Sequence, residues 1–134
     1  DLGPLGLNLW LDFEIYVDRK VHSNSFSPSP KVKSRMVVLK PISRPEVLGI
    51  NKRLFRIITK HCFSNRRKKM RTLLSVPPNR ISRVSGWHRD RWSSSVSRLI
   101  ESGSTNIKQD WLNLRPENFE PSDWLSITRE IERE

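Results

Sequence analysis

The sequence predicts an α+β chain, with two β-type segments inside residues 1–42 followed by a helical region over residues 43–134. Three observations lead there. In "LGLNLWLDFEIYV", Leu5, Leu7, Leu9, Leu11, Phe13, Ile15 and Val17 recur at period two, which puts all seven on one face of a strand. "RMVVLKPI" is a second, shorter β-type run, ended by Pro41. After Pro45 the apolar period becomes helical, with Leu54, Ile57, Ile58 and Cys62 forming a stripe among Lys52, Arg53, Arg56 and Lys60.

Between the two β-type runs lies "HSNSFSPSPKVKS", where Pro28 and Pro30 demand extended or turn backbone and exclude helix. Two strands joined by such a loop are marginal alone in water. Residues 1–42 are therefore expected to belong to a larger sheet whose other strands lie outside this chain. Behind the first helix, Ser64 or Asn65 can cap a second one carrying "RRKKMR" with Met70, Leu73 and Leu74, and "SVPPN" ends it. Residues 79–95 read as irregular and basic. A short helix is expected from Val96 to Glu101, stopped around Gly103. A last helix should start at Pro121, a favoured first-turn residue, and run through Trp124, Leu125, Ile127 and Ile131.

Charge separates the function classes. The 134 residues carry a net +11, with a pI near 10.7. The excess is local: residues 51–92 hold thirteen Lys/Arg against the single acid Asp90, while residues 1–50 hold seven against five and residues 93–134 five against eight. Arg66 to Arg71 places five cations in six positions. A face that is merely solvated needs no such density, whereas a polyanion such as nucleic acid does. Arg66, Arg67, Lys68, Lys69 and Arg71 are the first candidates for nucleic-acid contact, followed by Arg83, Arg89 and Arg91. Trp87 and Trp92 stand among the latter and could either stack on bases or fill a core. Phe26, in its proline-stiffened loop, could likewise stack on an unpaired base or plug the edge of its own core.

No catalytic set is visible in these residues. Gly3 and Gly6 sit within the strand-like run with no helix opening after them, so they make no nucleotide-binding loop. The single Cys62 allows neither an internal disulfide nor a Cys pair for zinc, and His22, His61 and His88 show no ligand spacing, so no metal site is expected. No apolar run approaches a membrane span, and the first residues carry no signal-peptide pattern.

Three stretches resemble one family. "GPLGLNLWLDFEIYVDRKV" with "FSPSPKVKSRMVVLKP" is similar to a late sheet strand, an F-x-P-x-P-K-V-x-S segment and a further strand. "FSNRRKKMRTLL" resembles an F-x-x-R-R-K helix start, and "LNLRPENFEPSDWLSI" a closing R-P-E-N segment with its last helix. In order and spacing they resemble the C-terminal half of the small-subunit ribosomal RNA adenine N6,N6-dimethyltransferases, a group that includes the mitochondrial transcription-factor-B proteins. The resemblance implies that residues 1–42 are the last two strands of a Rossmann-like methyltransferase sheet and that 43–134 form a small all-helical domain gripping rRNA. It also implies that Phe26 packs against the flipped target adenine and that Arg66, Arg67 and Lys68 are the family's basic run.

The family's S-adenosylmethionine loop, acidic ribose ligand and Asn-[Leu/Ile]-Pro-Tyr methyl-transfer loop belong upstream of Leu5, so no cofactor site is expected in this chain, and S-adenosylmethionine only if an N-terminal half exists. The expected partners are small-subunit rRNA and either ribosomal proteins or a methyltransferase half completing the sheet. Lys33, where the family usually has Asp, and the long basic stretch 75–110 point to a diverged organellar member, mitochondrial before plastid. Three functions stand open: the rRNA-binding portion of a dimethyltransferase, a non-catalytic structural protein of an organellar small subunit, and a transcription-factor-like relative acting on DNA.

Overall fold

The computed structural model describes residues 3–18, 36–47 and 49–133. Phe26, Lys33 and the proline loop lie outside these. The chain begins with a helix, α1 (Pro4–Asp12), and only then enters the strand β1 (Phe13–Asp18). The single long strand expected from Leu5 to Val17 is thus corrected to a helix followed by a strand. The physical reason is local. Leucine is a strong helix former, no β-branched residue occurs before Ile15, and Pro4 is preorganised for a first turn. Leu7 and Leu11 are buried one helical turn apart, whereas Leu5, which alternation would have put on the same face, is 75% exposed.

β1 pairs antiparallel with β2 (Met36–Pro41), from Phe13 opposite Pro41 to Asp18 opposite Met36. Arg44 fastens the exit of β2 to the α1–β1 junction. Its Nε donates to the Trp10 carbonyl at 2.8 Å, a terminal nitrogen donates to that of Phe13 at 3.2 Å, and the guanidinium lies 4.3 Å from the centre of the Trp10 ring.

The helical region comprises α2 (Lys52–Phe63), α3 (Met70–Leu74), α4 (Arg89–Ser102) and α5 (Pro121–Glu132), with one 3-10 turn between α3 and α4 and two between α4 and α5. Asn51 caps α2, its Oδ1 accepting from Leu54 N–H at 3.1 Å. Leu54, Phe55, Ile58 and Cys62 carry the buried stripe, with Ile57 at its margin. α5 starts at Pro121 as expected, and α4 stops at Gly103, whose φ of +69° suits glycine.

Two expectations are corrected. The helix expected from Val96 begins seven residues earlier, at Arg89, because His88 caps it through Nδ1, which accepts from Arg91 N–H at 3.2 Å. The helix expected to carry the basic run is reduced to α3, five residues long. Ser64 caps the end of α2 rather than the start of a second helix, and "NRRKK" forms the turn between them.

One apolar core unites these elements. Trp92, Trp124 and Phe55 are its largest fully buried side chains, and Leu7 and Leu11 of α1 join the same cluster. Burying each leucine contributes about 1.5–3 kcal/mol. Trp92 Nε1 donates to the Leu74 carbonyl at 3.1 Å, and His61 Nε2 lies 2.8 Å from that of Leu73, so α3 is held by its C-terminal carbonyls from two sides. Arg98 joins α4 to α5 by donating to the Glu130 carbonyl at 3.1 Å.

Candidate nucleic-acid interface

The basic segment is a turn built by backbone hydrogen bonds. Asn65 N–H donates to the Cys62 carbonyl at 3.3 Å, and Lys68 N–H to that of Asn65 at 3.0 Å. Arg66 and Arg67 are therefore the two corner residues of a four-residue turn, which is why both are exposed. Two bonds from far along the chain anchor the turn and the start of α3. Met70 N–H donates to the Leu114 carbonyl at 2.8 Å, and Arg115 Nε donates to that of Arg67 at 2.8 Å. The Arg66 guanidinium lies 5.7 Å from the Phe63 ring, which itself packs 5.5 Å from buried Trp124. One corner arginine thus rests on an aromatic wedge tied to the core.

Around this turn cations outnumber carboxylates: Glu117 shares a cleft with Arg66 and Arg67, but none of the turn's cations forms an ion pair among the described residues. Among the described residues the ion pairs are Lys52–Asp12 at 2.8 Å, Lys108–Asp123 at 3.2 Å and Arg133–Glu130 at 3.8 Å. Of the thirteen cations in residues 51–92, Lys52 alone takes part. A surface selected for its own stability would pair such charges or space them; leaving them free costs self-repulsion that a polyanion relieves.

Arg66, Arg67, Lys68 and Lys69 come together in the turn, and Arg71 is exposed on α3. Arg83, in the 3-10 turn Ile81–Arg83, and Arg89, at the start of α4, are also exposed. Arg91 differs: its guanidinium stacks 4.0 Å from the Trp87 ring centre and donates to the Gly86 carbonyl at 2.8 Å. Trp87 and Trp92 are buried, their ring centres 6.5 Å apart, so both fill the core.

Sequence reasoning did not single out Arg115, which lines a cleft with Arg66, Arg67 and Glu117, nor Lys60 and Arg80, which line another. Position in sequence carries no sign of the first association. The second could have been suspected from Lys60 extending the helical stripe that holds Arg53 and Arg56.

Among the described residues no cluster of His, Cys, Asp or Glu could hold a metal, and no helix is long and apolar enough to cross a membrane. Burial pushes the Cys62 thiol far above its ordinary range, so it is neutral and unreactive in the fold.

Two paired strands leading into a helical region with a strongly cationic surface define an α+β segment of the kind that continues a sheet into a small helical domain. Comparison with known proteins gives the class a family. The family model described as ribosomal RNA adenine dimethylase matches residues 1–86, and the chain belongs to that family. It is similar to ribosomal RNA small subunit methyltransferase A of Lactobacillus helveticus, with 39% identity over 98% of this chain and 38% of that protein. The protein of the same name from Prochlorococcus marinus is 32% identical over 85% of this chain and 35% of its own length. The chain thus spans little more than a third of these relatives. Among solved structures, a dimethyladenosine transferase from Plasmodium falciparum shares the fold, with a TM-score of 0.66 at 19% identity over 98% of this chain and 49% of that one. The α+β architecture expected from the sequence, two strands of a methyltransferase-type sheet followed by a helical domain, is therefore that of a C-terminal part of such an enzyme.

Proposed function

We propose that this chain is the rRNA-gripping portion of a ribosomal RNA adenine dimethyltransferase, and that the turn Asn65–Lys68 with its cationic surroundings holds small-subunit rRNA. The single observation that carries the reading is the unpaired charge. Twelve of thirteen cations in residues 51–92 lack a carboxylate partner among the described residues, and Arg66, Arg67 and Lys68 among them lie in a turn fixed by backbone bonds. The family match supplies the nature of the anion.

In this reading the reaction is transfer of methyl groups from S-adenosylmethionine to adenine amines. That chemistry rests mainly on positioning, and these residues contribute by holding the RNA in place. S-adenosylmethionine is itself a sulfonium cation. The clefts of the helical region nearest the basic turn are lined by Lys60 with Arg80 and by Arg66, Arg67 and Arg115 with the single acid Glu117, a net positive lining that disfavours a cation, so no cofactor ligand is assigned among them. In this reading β1 and β2 belong to the sheet of the catalytic half and residues 43–134 to the grip, with α1 packed into the core of the latter. An organellar setting is part of the proposal, supported by the basic stretch 75–110.

The test is salt-dependent binding of a small-subunit rRNA fragment. Arg66→Glu with Arg67→Glu should weaken binding at least about tenfold and shallow the slope of log affinity against log salt by about two, one per lost phosphate contact. Unchanged affinity and slope would show that the turn only braces the fold.

A further inference from the structure

A pocket of about 250 Å³ opens next to the basic turn, between the outer face of α2 and the segment following α3. Ile57, Lys60, His61 and Ser64 form one wall and Pro78, Asn79 and Arg80 the other. The first four are spaced three or four apart, so one helix face presents them together. The walls are fixed before any ligand arrives. His61 is tied through Nε2 to the Leu73 carbonyl at 2.8 Å, and the buried Pro78 accepts from Ile81 N–H at 3.1 Å.

The lining is chemically mixed in a telling way. Ile57 and Pro78 are apolar, His61 is a flat ring, and Asn79 offers both a donor and an acceptor. Lys60 and Arg80 are exposed, with no ion pair among the described residues. A planar heterocycle carrying a phosphate matches that set. A paired base does not, because A-form RNA keeps its bases stacked inside the helix.

We propose that this pocket receives one unpaired nucleotide of the bound RNA, its base lodged among Ile57, His61 and Pro78 and its phosphate between Lys60 and Arg80. The inference rests on the reading of the neighbouring turn as an RNA grip. Continuity supports it: Ser64, which closes the pocket, leads directly into the turn that carries Arg66 and Arg67.

The experiment is fluorescence anisotropy on the full chain with a labelled single-stranded oligoribonucleotide, free or annealed to its complement. Lys60→Ala with Arg80→Ala removes two exposed cations. Asn79→Trp fills the pocket without changing charge. Both variants should lose about tenfold on the single strand and no more than about threefold on the duplex, with circular dichroism confirming the fold. Equal losses on the two RNAs, or unchanged preference in both variants, would overturn the pocket and leave it to a protein side chain, while the grip stands. If the unmodified chain binds neither RNA, both readings fall, and that is seen before any substitution is made.

Discussion

Arg115 Nε donates to the main-chain carbonyl of Arg67 at 2.8 Å across 48 positions of sequence. The closing "RPEN" segment thereby fixes the far corner of the basic turn. Arg115 is itself held, since its N–H donates to Asn118 Oδ1 at 3.0 Å. A cation is thus used to position another cation's backbone, in a cleft where Glu117 is the one carboxylate beside Arg66, Arg67 and Arg115.

Arg115→Gln should therefore do more than subtract a charge. The bond is exposed, so the stability cost should be small, about 0.5–1 kcal/mol. RNA affinity should fall further than after Arg83→Gln, which removes one exposed charge outside the turn. The check is affinity of the two variants at equal salt. Equal losses would mean that the turn keeps its shape without Arg115.

The two most buried tryptophans make opposite predictions. Trp92 Nε1 donates to the Leu74 carbonyl at 3.1 Å, whereas Trp124 Nε1 is buried with no partner, between Phe63 at 5.5 Å and Phe119 at 5.4 Å. Replacement by Phe strands an acceptor in the first case and removes an unpaired donor in the second. Trp92→Phe should cost about 1–2 kcal/mol more than Trp124→Phe in urea unfolding. Equal costs would show that lost volume alone decides.

Much of the fold is readable from sequence, for reasons that also explain the parts that are not. Pro121 and Gly103 mark helix ends because their backbone preferences are local, and both stand where expected. The density of cations at 66–71 is plain, but its shape is not. Arginine and lysine favour helix, and they are bent into a turn by a pair of bonds from Leu114 and Arg115, outside any local window. The leucines of α1 mislead differently, since Leu7 and Leu11 are both two steps of alternation and one helical turn apart. The start of α4 is hidden because histidine is an uncommon cap and the segment 89–95 has Trp92 as its single apolar anchor.

Cys62 gives a pH prediction. Its buried thiol is held protonated in the fold, while in the unfolded chain it ionises near about 8.5. Below that value both states carry the proton and stability is unaffected. Above it the unfolded state loses its proton first, so stability should fall by up to about 1.4 kcal/mol per pH unit. Cys62→Ala should cost about 1–2 kcal/mol at neutral pH and flatten that alkaline slope. An identical slope in both proteins from about pH 8.5 to 10 would show that the thiol ionises without unfolding.

Gly86 and Arg91 should behave as one unit. Gly86 has φ of +81°, and a Cβ added there would lie 3.2 Å from the Arg91 Nη1 that donates to its carbonyl. Gly86→Ala meets both the left-handed backbone penalty, about 1–2 kcal/mol, and the need to displace a guanidinium stacked on Trp87. Arg91→Ala alone should cost about 1 kcal/mol through that lost stacking. In the double variant the displacement has already occurred, so the combined cost should fall short of the sum by about 0.5–1 kcal/mol. Strict additivity in denaturant melts would mean that the alanine methyl fits beside Arg91 and that backbone conformation alone selects glycine at this turn.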